Sequence, residues 1–423
     1  MTRLTRSAAC LGAAPPVRIA HIGLGAFHRS HQAWFTAHAA PDWGIASFTG
    51  RTAAAALPLA EQDGLFTLVE RGAEADRAEI VTSISSARDG ADTESLTRVI
   101  SSAQTTVVTL TITEGAYAPS AAALAQDRRA LAAKDPFAAP PVTALGRLAL
   151  ALEARRRADA GPIAIVPCDN LPGNGRVVRD ALLALAADNT AFTEYIEDFA
   201  PAVSTSVDRI TPAVTEADLA EAERLTGFED YAAVVAEPFR DWTLAGRFPA
   251  ARPAWEDAGA RFVDDIEPYE HRKLWLLNGA HTILAAAGTL RGHRTVASAM
   301  ADDVVRGSVE AFWDEAARHL SPGLGAAAYR DALVSRFLNP RIVHRLDQIS
   351  RDSAIKVRAR IVPVLLRERG AGRDAAGCIA ALAAWVDSVA PGEATARVLV
   401  RASERLVEVA PDVDSLRRFA RTP

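Results

Sequence analysis

Three cysteines in 423 residues leave little room for disulfide chemistry. Cys10, Cys168 and Cys378 make no C-x-x-C pair, and an odd, widely spaced set does not form a disulfide framework. A reducing, cytoplasmic setting is therefore the expectation. Long apolar runs are missing too. No stretch of about 18 uninterrupted apolar residues occurs, so no membrane span is expected. The start, MTRLTRSAACLGAAPP, is basic and rich in small residues, but its apolar run is too short for a signal peptide. An N-terminal arm leading into a strand is expected instead. Excess charge of one sign is also small: 47 Lys and Arg stand against 52 Asp and Glu, a net charge of −5. The basic residues are dispersed, which argues against nucleic acid or an anionic membrane as partner. Metal ligands are thin. His28, His31 and His38 share a helical face, yet no nearby Asp, Glu or Cys completes a set, and no metal is expected.

What is present is ordinary for a globular chain, with 49% hydrophobic and 23% charged residues. A single core rarely grows past about 250–300 residues, so the length implies two domains. Up to about residue 260, short β-rich runs alternate with helical ones. Residues 17–23 (VRIAHIG), 43–48 (WGIASF), 105–112 (TTVVTLTI) and 162–167 (PIAIVP) read as buried strands. Residues 66–70 and 79–83 read as a hairpin-type insertion, and 31–39 and 142–157 as helices. This alternation predicts a doubly wound, Rossmann-type α/β sheet. From residue 269 to 418 helical periodicity dominates. The expected division is a dinucleotide-binding domain over 1–265 and a mostly helical substrate and catalytic domain over 266–423, with the chemistry at their junction.

The first strand ends in Gly23-Leu24-Gly25-Ala26-Phe27-His28, a G-x-G between strand and helix. Gly23 permits a tight turn, and Gly25 lets a pyrophosphate approach the helix N-terminus. The third glycine of the usual fingerprint is replaced by His28, so a nucleotide turn and an ordinary tight turn both remain open. His28 is placed near the phosphates. Where an acidic residue usually reads the adenosine ribose, the second strand is followed by Arg51. It is suited to a 2′-phosphate, to stacking on adenine, or simply to solvent. After the strand PIAIV, Asp169 and Asn170 lie in the loop CDNLPGNG. There Asn170 can donate to a substrate oxygen, or both can merely cap the next helix.

The richest segment is PYEHRKLWLLNGAH, residues 268–281, which puts Glu270, Lys273, Asn278 and His281 in one apolar helix. At 100° per residue they fall within roughly 140° of arc. Burying four polar groups there is costly unless they serve each other or a ligand. Lys273 has the character of a general base and Asn278 that of an alkoxide donor. His281 can bind a hydroxyl, and Glu270 can pass a proton to solvent. A plain Glu270–Lys273 ion pair in a domain interface remains the alternative.

Seven segments in chain order carry a family likeness: HIGLGAFHRSHQA, TITEGAY, CDNLPGNG, VDRITP, EPFRDW, PYEHRKLWLLNGAH, and NPRIV followed by DSAIKVRARIVP. Together they resemble the polyol-specific long-chain dehydrogenases, the family of mannitol dehydrogenase and D-mannonate oxidoreductase (fructuronate reductase). The resemblance implies metal-independent hydride transfer between a polyol and NAD or NADP. It implies Lys273 as general base, Asn170 with Asn278 on the alkoxide, His281 on substrate and Glu270 on the proton path. Cofactor contacts fall to Gly23, Gly25, Ala26, Phe27, His28, Arg51, Thr113 and Glu114. Asp208, Lys356 and Arg360 fall to the substrate. Members are often monomeric, and the same is expected here. Departures exist. The family usually carries Lys before the Gly-Tyr of TITEGAY and often Arg where Trp275 stands. The chain is also shorter, so trimmed pocket loops are expected. Mannitol and fructose are the leading substrate pair, with a hexuronate next, its carboxylate met by Lys356, Arg358 or Arg360. A non-catalytic nucleotide sensor is disfavoured by the intact lysine set.

Overall fold

The computed structural model describes residues 2–50 and 52–389. The chain forms two compact units, Met1–Ile266 and a second that starts at Glu267. The helical expectation beyond residue 389 lies outside the described residues, as does Arg51.

The first unit is built on five parallel strands: β1 (Val17–Ile22), β2 (Gly44–Phe48), β3 (Ile84–Arg88), β4 (Val107–Leu110) and β5 (Ala164–Pro167). Their order is β3-β2-β1-β4-β5. Period-2 alternation explains the two cores. Ile19, Ile45, Val107 and Val166 point into one apolar cluster, while Ala20, Ile22, Phe48, Val108, Leu110 and Ile165 point into another. Both faces are covered, so these strands read as continuous apolar runs. Helices Thr93–Ile100, Ala144–Arg157 and Asn174–Ala186 supply Leu96, Leu148 and Leu182 to the second cluster. On the other face, Trp34, Phe35, Trp242 and Trp255 fill the first.

The central strand is shorter than expected, four residues rather than the full β-branched run. The polar sequence ISSAR of β3 carries no strand signal, because it is an edge strand with a half-covered surface. The expected hairpin exists: Phe66–Arg71 pairs antiparallel with Asp76–Val81, and Val234–Ala236 adds parallel to its other side. A further pair, Ser204–Asp208 against Asp241–Ala245, carries Asp208.

The described part of the second unit is helical. One long helical run crosses Glu267–Arg272, Lys273–Gly279 and Ala280–Leu290, and its middle stretch is a π-helix. It packs against Asp303–Ala317 and Ala376–Val389. Gly279 makes the first approach possible, since a Cβ there would stand 2.6 Å from Phe312 Cε1. The buried Glu315 carboxylate accepts the Gly377 and Cys378 amides, both at 2.7 Å, and so caps the last described helix. Among the described residues no helix is long and apolar enough to cross a membrane.

Candidate active site

In the first unit, chain connection reverses direction between the neighbouring strands β1 and β4, where open α/β sheets bind their ligands. Gly23 follows β1 at φ 110°, and a Cβ on it would lie 2.0 Å from the Thr111 carbonyl oxygen. Only glycine fits there. Gly25 is extended and precedes the helical run that begins at Ala26, so backbone N–H groups open onto the turn. A cleft of about 880 Å³ lies beside it, lined among others by Gly23, Leu24, Gly50, Thr111, Thr113 and Arg147. A glycine-lined cleft at a strand-to-helix turn suits a dinucleotide. Gly25, Ala26 and Phe27 form the helix start, and the exposed Glu114 opens the 3₁₀ turn Glu114–Tyr117 after Thr113.

His28 is fully buried, not exposed at the turn: its Nε2 lies 3.0 Å from Ser47 Oγ, and its ring stacks on His21 at 3.4 Å. His21 stands 2.8 Å from Thr109 Oγ1 and 3.1 Å from Thr111 Oγ1, and Thr111 in turn donates to the Gly23 carbonyl at 2.8 Å. With the Thr111 proton committed to Gly23, His21 Nε2 is the donor and Nδ1 the acceptor. Burial pushes His21 down to about 3, and burial beside His21 pushes His28 well below the usual imidazole value. The turn rests on two neutral rings.

The loop after β5 is held from below. Asn174 is wholly buried. Its amide donates to the carbonyls of Pro167, Asp169 and Thr205 and accepts the Thr205 amide at 2.8 Å. This leaves Asn170 exposed at the loop crest. The Asp169 carboxyl accepts the Tyr117 hydroxyl. Burial raises it to about 7 against the pull of the bonds from Tyr117 and the Ile112 amide. Asp208 is buried at the end of its strand, opposite Asp241.

In the second unit the π stretch changes the expected helix geometry. A π turn closes from i to i+5, so residues five apart stand about one above the other. Lys273 and Asn278 therefore come onto one line, where an α-helix would set them about 140° apart. The wide turn displaces its carbonyls, and side chains take them up. Trp313 Nε1 donates to the Leu276 carbonyl at 2.7 Å, and Arg360 donates to the Asn278 carbonyl at 3.2 Å. The Asn278 side chain makes no hydrogen bond among the described residues, and His281 Nε2 is buried without one. His281 lies 4.8 Å from His344 and 4.9 Å from Phe337, ring to ring. Burial holds it neutral, and the charges of His344, Arg336, Arg360 and Lys273 push the same way. Glu270 sits half-buried on the preceding turn. Lys356 donates to the Ile349 carbonyl at 2.9 Å.

Thus Gly23 and Thr113 share one cleft, while Lys273, Asn278 and His281 share one stretch of helix with Arg360 against it. Arg336 and His344 stand close to His281 without any periodic signal having pointed to them. Among the described residues no three His, Cys, Asp or Glu are grouped to hold a metal ion.

Sequence profiles agree with this two-part construction. The mannitol dehydrogenase Rossmann domain matches residues 17–257, and the mannitol dehydrogenase C-terminal domain matches residues 265–410. D-mannonate oxidoreductase of Escherichia coli (strain K12) is 36% identical over 84% of this chain and 76% of its own. Mannitol 2-dehydrogenase of Cereibacter sphaeroides is 33% identical over 87% and 80%. The solved Pseudomonas fluorescens mannitol 2-dehydrogenase, a ternary complex with NAD and D-mannitol, superposes with a TM-score of 0.80. It is 31% identical and covers 99% of this chain and 96% of that one. A Rossmann-type sheet unit followed by a helical unit is an oxidoreductase architecture in this company. The chain belongs to the mannitol dehydrogenase family.

Proposed function

We propose that the chain is an NAD(P)-dependent dehydrogenase that interconverts a polyol and its ketose, with mannitol and fructose as the leading pair. The observation that carries this reading is the π turn, which lines Lys273 up with an untied Asn278 amide beside the neutral His281. A neutral secondary alcohol releases its proton only far above neutral pH, so a base and an alkoxide donor are both required. Lys273 takes the hydroxyl proton, and Glu270 passes it on to solvent. Asn278 and Asn170 donate to the developing alkoxide, and His281 orients a substrate hydroxyl. Asp208, Lys356 and Arg360 serve the rest of the substrate. Gly23, Gly25, Ala26 and Phe27, with Arg51, Thr113 and Glu114, serve the dinucleotide, which supplies the hydride acceptor when bound, and the buried His28 supports their turn from within. No metal is needed for this division of work.

A second reading is a hexuronate such as fructuronate, favoured by the cationic surroundings of His281: Arg336, Arg360 and Lys273. Reduction rates on fructose, fructuronate and tagaturonate with NADH and NADPH separate the two readings. Lys273→Ala is expected to lower turnover by about 10²–10⁴-fold while dinucleotide binding persists. A wild-type chain that binds dinucleotide yet turns over no polyol, ketose or hexuronate would instead be a nucleotide sensor.

A further inference from the structure

Asn170 sits at the crest of a loop whose neighbour, Asp169, faces inward. The Asp169 carboxylate accepts two donors from the adjacent strand's exit: the Tyr117 hydroxyl and the Ile112 backbone N–H. Ile112 and Thr113 follow β4 directly, and Tyr117 closes the 3₁₀ turn Glu114–Tyr117. Tyr117 is buried, only 6% exposed, so its ring is fixed by packing before its hydroxyl reaches across. One carboxylate therefore ties the Thr113 wall of the cleft to the loop that presents Asn170. Asn174 holds the same loop from the opposite side through the Asp169 carbonyl at 3.1 Å.

We propose that Tyr117 and Asp169 are positioning residues: their hydrogen bond sets the Asn170 amide against the Thr113 wall of the cofactor cleft. The inference rests on the reading of Asn170 as an alkoxide donor. Neither side chain meets substrate; both act through Asn170. Small displacements matter at such a donor, because a misplacement of about 1 Å can cost about 10²-fold in rate. A hydroxyl removed from a packed ring moves the loop by less than that, and a loss of about tenfold is expected.

The test uses the full chain with Tyr117→Phe, Asp169→Asn, Asn170→Ala and the double variant Tyr117→Phe/Asn170→Ala. Phenylalanine keeps the ring and asparagine keeps the carboxyl's shape, so each of these two variants checks the other if one folds poorly. Turnover at saturating dinucleotide is measured on the substrate that the rate panel identifies, together with the dinucleotide Kd. Tyr117→Phe and Asp169→Asn are each expected to lower kcat about tenfold with Kd within about threefold. Asn170→Ala is expected to lower kcat by about 10²–10³-fold, and the double variant to be no slower than Asn170→Ala alone. Wild-type kcat in both single variants, or a further tenfold loss in the double variant, overturns the proposal while leaving Asn170 its role. Wild-type turnover in Asn170→Ala overturns the reading of Asn170 and this inference with it.

Discussion

Acid should loosen the first unit through the His21–His28 stack, and the size of the effect follows from burial. His21 is completely buried and titrates at about 3 in the fold, against 6.5 when free. Its folded value is depressed, so below pH 6.5 the unfolded chain binds a proton that the folded chain refuses. Stability is whole above pH 6.5 and is lost as the pH falls towards 3, by about 1.4 kcal/mol per unit for this one ring. At pH 5 that is about 2 kcal/mol. His28, also buried and pushed well below its usual value, adds a loss of the same sign. Domains have only about 5–15 kcal/mol to lose. The perturbation is His21→Gln, which keeps partners for Thr109 and Thr111 but cannot be protonated. Urea unfolding of both proteins at pH 7 and pH 5, followed by far-UV circular dichroism, gives the two losses, and groups common to both cancel. The wild type should lose about 2 kcal/mol more than the variant. Equal losses would refute the idea that the turn rests on neutral buried imidazoles.

Two glycine substitutions probe the backbone at each proposed site. Gly23→Ala places a Cβ 2.0 Å from the Thr111 carbonyl at positive φ. Dinucleotide Kd is expected to rise at least about tenfold, and unchanged binding would remove the turn from the cofactor site. Gly279→Ala gains helix propensity worth about 1 kcal/mol but drives a methyl to 2.6 Å from Phe312 Cε1. Overpacking of about 1–3 kcal/mol should win, lowering the melting temperature, and adding Phe312→Leu should restore it.

The sheet was legible where burial on both sides demanded apolar runs, as in Val17–Ile22 and Ala164–Pro167. It was illegible at Ile84–Arg88, where the edge position relaxes that demand and Ser85, Ser86 and Arg88 are tolerated. Gly23 was legible because few side chains can serve at that strand-to-helix turn. His28 lies deeper than its place in a glycine turn suggests, for an instructive reason. A histidine in a glycine turn reads as polar and outward, whereas a second buried imidazole at position 21 offers it a stacking partner inside. The π turn left no mark in PYEHRKLWLLNGAH, since the same residues suit an α-helix. Its displaced carbonyls are taken up by distant side chains, Trp313 and Arg360, and local periodicity carries no information about them.

That π turn also has a meaning for chain length. It holds more residues per turn than the α-helical runs on either side. A chain that lost a single residue between Lys273 and Gly279 could settle into unbroken α-helix, with stronger backbone bonding. Lys273 and Asn278 would then be four apart rather than five, while the helix beyond the deletion would keep nearly the same facing, because a π turn absorbs one extra residue. The spacing of Lys273 and Asn278 is thus keyed to one surplus residue. Pressure for a sturdier helix and pressure to keep the five-residue spacing of Lys273 and Asn278 act in opposite directions on that residue.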